Sequence, residues 1–244
     1  MEGRLRREAF LFASGGQQLF ASLYHAPGAS GPAVLVCPSW GFEMAQTLPL
    51  CHGLARDVAG LGGAGMVVHW PGHGESDGEV LEADVPRMSA AATDAVVAGR
   101  ARTGLGRWGL AGIRLGAAAA WEAARTSGAE LLVLLQPSLN PAAFLRDLTA
   151  RTRRAGLGRA RPGWAFGELL PDAAAWPDRS PVDLDERFAG AGACIRYSED
   201  PGGCPAGMQE VLVRGSWRRE LLSGYRGLLR PATSWIRSMV GAHG

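Results

Sequence analysis

Trp108-Gly109-Leu110-Ala111-Gly112-Ile113-Arg114-Leu115-Gly116-Ala117 is the stretch whose reading decides the fold. It has the form of a strand, a Gly-x-Arg-x-Gly bend, and a helix that opens on the alanines 117 to 120. A strand that turns directly into a helix strains and exposes the central residue, and only tiny flanking residues let the two elements approach. Gly112 and Gly116 meet that demand.

Outward from the bend, strand-like and helix-like runs alternate. Toward the N-terminus, residues 33–37 are β-rich, 48–61 have helical spacing, 66–69 are a second strand and 84–102 an Ala-rich helix. After the bend come a helix over 115–125, a strand over 131–135 and a helix over 142–154. Strands alternating with helices need crossover connections, so the spacing predicts a mostly parallel sheet with helices on both faces. Residues 10–13 and 18–24, joined through Gly15-Gly16, read as an opening hairpin. Residues 155–190 mix Gly, Pro, Trp and Asp without period and read as a small irregular lid within one domain spanning 1–244. Two strands, 194–197 and 210–213, and a closing helix over 217–239, divided or kinked at Pro231, complete the chain.

Composition narrows the function classes. The 25 basic and 23 acidic residues leave a formal charge of +2 and are spread along the chain, so no nucleic-acid-binding stripe is present. Every basic residue is arginine, which removes lysine-base and Schiff-base chemistry. The four cysteines, Cys37, Cys51, Cys194 and Cys204, lack metal-type spacing and read as free thiols. The apolar run 9–13 is too short for a signal-peptide core and no run reaches a membrane-spanning length, so a cytoplasmic location is expected.

A bend of this kind is a nucleophile elbow when its centre is serine; here the centre is Arg114. A guanidinium stays protonated and has no lone pair to offer, so serine-type acyl-enzyme chemistry is excluded at this position. The cation also stands at a helix N-terminus, where partial positive charge already collects, so an anion must neutralise both. That anion is either an internal acid, with Glu43, Glu199 and Asp200 as candidates, or a ligand carboxylate or phosphate held in bidentate fashion. The rest of a triad is incomplete. Glu199-Asp200 stand after a late strand, where the acid belongs, but Gly215-Ser216 stand where a histidine is expected after the last one. His243, beyond a long helix and one residue from the end, reads as a tail residue.

These residues resemble a group within the α/β-hydrolase superfamily, the exosortase A system-associated hydrolases of the second type. Pro38-Ser39-Trp40-Gly41-Phe42-Glu43-Met44 is similar to their Pro-Pro-Phe-Gly-Glu-Glu-Met, with Ser39 and Phe42 departing from it. Residues 71–78 are similar to the Gly-x-Gly-x-Ser-x-Gly loop common to the superfamily, and Leu135-Gln136-Pro137 resembles a Trp-Gln-Pro. Gly112-Ile113-Arg114-Leu115-Gly116-Ala117 resembles their Gly-Leu-Arg-Leu-Gly-Ala, arginine included. The likeness covers roughly residues 33 to 150 and implies the α/β-hydrolase fold and a hydrolase label.

Around the bend, the loop 37–44 is expected to face Arg114 across a pocket, with an oxyanion hole made by amides of Ser39 or Trp40 and of Leu115. Glu43 is a candidate acid/base or partner of Arg114, alternatively a helix-capping acid; His73 of the glycine loop is a further catalytic candidate. His69 and His73, four apart, cannot share a helix face across Pro71-Gly72, so no metal site is expected. Cys37 reads as a buried inert thiol, since no histidine depresses its pKa, and Trp164, Trp176 and Trp217 as core or an apolar pocket wall. Three readings remain. One is an enzyme acting on a small ester, thioester or other carboxylate without a Ser-His-Asp triad, Arg114 binding the anion. Another is an inactive pseudo-hydrolase that binds a small anionic ligand or a protein. The third is a cyclase or lyase on the same fold. No cofactor is expected, the partner is a small acyl or anionic molecule, nucleic acid and membrane are not, and self-association is left open.

Overall fold

In a computed structural model, the structure describes residues 4–154, 164–165, 168–169, 191–200, 204–205, 207–214, 216 and 226–241. Eight strands form one sheet: β1 (Arg6–Ser14), β2 (Gln17–His25), β3 (Ala33–Cys37), β4 (Ala64–Val68), β5 (Trp108–Ile113), β6 (Leu132–Leu135), β9 (Gly192–Tyr197) and β10 (Gln209–Val213). Their order across the sheet is β1-β2-β4-β3-β5-β6-β9-β10. Only β2 runs against its neighbours; β4 through β10 are parallel. Two-residue strands β7 (Trp164–Ala165) and β8 (Glu168–Leu169) form a separate antiparallel pair. That pair lies in the predicted lid, whose other residues, with Trp176, Trp217 and His243, lie outside the described residues.

Both faces of the sheet are covered, and the strands' alternation shows why. Leu35, Cys37, Met66, Val68, Leu110, Leu132 and Leu134 point to the side holding α2 (Val85–Thr103) and α3 (Gly116–Thr126). Val34, Val36, Val67, Ala111, Ile113, Val133 and Leu135 point to the side holding α1 (Phe42–Gly60) and α5 (Arg226–Gly241). Strands buried on both faces have no polar period, so they read as continuous apolar runs. The α2–α3 contact is close because its residues are small: Ala91, Ala92 and Ala95 on one helix, Ala117 to Ala120 on the other, all buried.

Two expectations are corrected. Helix α1 begins at Phe42 rather than 48, because Gly41, at φ 61° and ψ −146°, provides the non-helical entry residue and Pro49 is accommodated inside the helix. Cys194 and Cys204 are not free thiols: their Cα atoms lie 5.7 Å apart and they form a disulfide. Cys37 and Cys51 are free and buried. Among the described residues no helix is long and apolar enough to cross a membrane.

The connection after β3 runs to β4 on one side and the connection after β5 runs to β6 on the other, so the two part between the carboxyl ends of β3 and β5. In open parallel sheets that parting creates the crevice where ligands bind. The register sets Cys37 beside Gly112, so the loop after β3 and the bend after β5 meet there.

Candidate functional site at the strand-to-helix bend

Arg114 has φ 54°, a left-handed conformation that non-glycine residues rarely adopt. The bend is therefore as tight as its sequence requires. A Cβ on Gly116 would strike the carbonyls of Cys37 and Pro38, and one on Gly112 would strike the backbone of Ala117. Three hydrogen bonds hold the strained residue: the Arg114 amide donates to Leu135 O at 3.1 Å, and its carbonyl accepts from Ala117 N at 3.1 Å and Ser138 N at 3.0 Å.

The guanidinium of Arg114 meets two acids. Its Nε lies 3.3 and 3.4 Å from the two carboxylate oxygens of Glu43, and its Nη2 lies 3.3 Å from Asp147 Oδ2. Asp147 belongs to α4 (Pro141–Arg154), and Arg151, one turn further on, completes the cluster. Arg151 Nη2 donates to Glu43 Oε1 at 2.7 Å, and its Nε forms an ion pair with Asp147 at 3.1 Å. Two cations and two anions thus alternate around a closed ring. Glu43 is wholly buried, and Ser39 Oγ donates to its Oε2 at 2.6 Å. Burial alone pushes its carboxyl up; Arg114, Arg151 and the Ser39 hydroxyl outweigh that and hold it below the usual carboxylate range. Of the internal partners expected for Arg114, the structure selects Glu43. It adds Asp147 and Arg151, which sequence reasoning missed; their spacing of four on a charged helix is the only signal they carry, and ordinary surface pairs share it.

The loop after β3 is held from behind. Trp70 Nε1 donates to the carbonyls of Pro38 and Ser39, each at 3.1 Å. The Gly41 amide donates to His73 Nε2 at 2.8 Å, which makes Nε2 the acceptor and leaves the proton on Nδ1, 2.8 Å from Pro71 O. Burial lowers the pKa of His73, opposed by the Pro71 carbonyl, so the ring is neutral at pH 7. His73 therefore holds the loop after β3 through Nε2 and its own loop through Nδ1, with its ring edge-on to buried Trp40 at 5.7 Å. Ser39, Trp40 and Leu115 are fully buried, and among the described residues the amides of Ser39 and Leu115 have no hydrogen-bond acceptor.

Further along the same sheet edge, Gln136, also at positive φ (44°), accepts from Tyr197 N at 2.7 Å and joins the end of β6 to β9. Asp200 follows β9, and its Oδ1 accepts from Ser216 Oγ at 2.7 Å; Glu199 is exposed. The acid thus has a partner from beyond β10, a hydroxyl, which does not take up a proton near neutral pH as an imidazole does. Cys37 is fully buried and burial raises its pKa, so no thiolate forms there. Among the described residues, no group of three or more His, Cys, Asp or Glu side chains is placed to hold a metal ion.

No protein-family model and no curated protein matches the chain. Solved structures do resemble it. A structure titled putative hydrolase from Agrobacterium vitis S4 superposes with a TM-score of 0.60 at 15% identity, over 97% of this chain and 99% of that one. An esterase from Pyrobaculum calidifontis gives 0.64 at 20% identity over 98% and 83%. A Xanthomonas campestris protein described as an a/b serine hydrolase without lid gives 0.54 at 17% over 94% of each. At such identities the likeness shows the fold, and it is the α/β-hydrolase fold.

Proposed function

We propose that this α/β-hydrolase-fold chain is a pseudo-hydrolase: it receives a small acyl or carboxylate ligand between the loop after β3 and the bend after β5, and forms no acyl-enzyme. The observation that carries the reading is the environment of Arg114. The residue at the nucleophile's position is a cation tied to Glu43 and Asp147. Among the described residues, the acids and the loop histidine nearest the bend and the strand ends are already engaged. Both oxygens of Glu43 accept hydrogen bonds, both nitrogens of His73 serve backbone groups, and Asp200 faces a serine hydroxyl. The amides of Ser39 and Leu115, in the oxyanion-hole positions, support retention of a carbonyl or carboxylate ligand without its turnover.

The test is direct. Purified protein incubated with p-nitrophenyl esters and acyl thioesters should release product no faster than buffer, and a fluorophosphonate probe should leave every serine unlabelled. Small carboxylates should raise the melting temperature without being consumed. Ester turnover that disappears in Arg114→Ala or Glu43→Gln would restore the reading of an enzyme that works without a triad.

A further inference from the structure

The two acids on Arg114 are not equivalent. Glu43 is sealed, with 1% of its side chain exposed, whereas the Asp147 side chain is 30% exposed. Asp147 stands 3.3 Å from Arg114 Nη2 and 3.1 Å from Arg151 Nε, so one carboxylate bridges two guanidiniums on the solvent side of the ring. Behind them the buried Phe144 ring lies 5.8 Å from the guanidinium carbon of Arg114. Removing Glu43 would take the buried carboxylate from both guanidiniums and leave Asp147 shared between them. Asp147 is half-buried and reaches solvent where Glu43 does not, so exchanging its ion pairs for water costs less than breaking those of Glu43.

We propose that Asp147 is a tethered stand-in for the ligand's own carboxylate, the resting occupant of an anion seat formed by Arg114 and Arg151. This deepens, and rests on, the reading that the bend receives a ligand. Charge selects the ligand class. Asp147 offers the two guanidiniums a single carboxylate, so a monocarboxylate replaces it charge for charge, whereas a phosphate dianion does not. Access to the seat is then a competition: the ligand must displace an internal carboxylate at high local concentration, which sets a threshold below which the site remains self-occupied.

The experiment compares thermal melts of wild type, Asp147→Asn and Asp147→Ser in sodium acetate, with sodium chloride added to hold ionic strength constant. Both substitutions remove the competing carboxylate, so acetate should stabilise each variant saturably, with a half-effect concentration at least ten-fold below that of wild type. Adding Arg151→Gln to Asp147→Asn should abolish the effect, and phosphate at pH 8 should stabilise less than acetate. A folded variant that responds to acetate as it does to chloride overturns the proposal. An equal response to phosphate overturns the monocarboxylate class, and failure of both variants to fold shows a structural tie in place of a displaceable one. Ester turnover by wild type would sink the pseudo-hydrolase reading alone and is measured separately.

Discussion

A guanidinium at a left-handed bend before a helix is unfavourable in isolation, because backbone strain and the helix's positive end both oppose it. What makes Arg114 tolerable is Glu43, and the dependence is mutual. Arg114→Met should remove one of the cations that hold buried Glu43, at a cost of roughly 3–5 kcal/mol, and Glu43→Gln should cost a similar amount by taking the buried carboxylate from both arginines. The double variant should regain part of the loss, so urea unfolding that yields simply additive effects would contradict the coupling. Glu43 could be named as a candidate partner of Arg114 because bend and loop chemistry marks both, whereas Ser39 was read for its amide and not for the hydroxyl that meets Glu43. Asp147 and Arg151 were not legible in the sequence, since nothing local shows that α4 crosses the bend.

At the scale of elements, the approach of α3 to the loop after β3 depends on missing side chains. Gly116→Ala would drive a methyl into the Pro38 carbonyl, backbone that cannot swing away, so destabilisation of about 1–3 kcal/mol or more is expected. Gly106→Ala is the control: its Cβ meets nothing within 4 Å, and calorimetry should find it neutral or slightly stabilised. The start of α1 was less legible than the bend. Its helical period becomes clear only from Leu48, yet the helix begins at Phe42, and those extra residues carry Glu43 into the first turn, beneath Arg114.

Across the whole molecule, buried titratable groups make the fold acid-sensitive in two stages. Burial first, then His52, His73 and Arg7, lowers the pKa of His69 to about 4. Between roughly pH 6.5, the unfolded value, and pH 4 the unfolded chain binds the extra proton, so stability falls as pH drops through that window. Glu43 acts lower: its folded pKa is depressed, so its contribution is present above about pH 4.3 and is lost as pH falls further. Denaturation midpoints from pH 7 to 4 should decline, with at most about 3 kcal/mol due to His69, and His69→Gln should flatten the upper part of the curve. An unchanged slope in that variant would assign the loss elsewhere. By itself the sequence determined the parallel sheet, the glycine-flanked bend and the absence of a nucleophile from it, because apolar period, glycine placement and side-chain chemistry are local properties. Tertiary structure alone decided which acid holds Arg114, that α4 contributes a second carboxylate and a second arginine, that Ser216 meets Asp200, and that Cys194 bonds Cys204. Those pairings join residues from different elements, and charge or sulfur chemistry carries no record of distance until the crossovers bring the strand ends together.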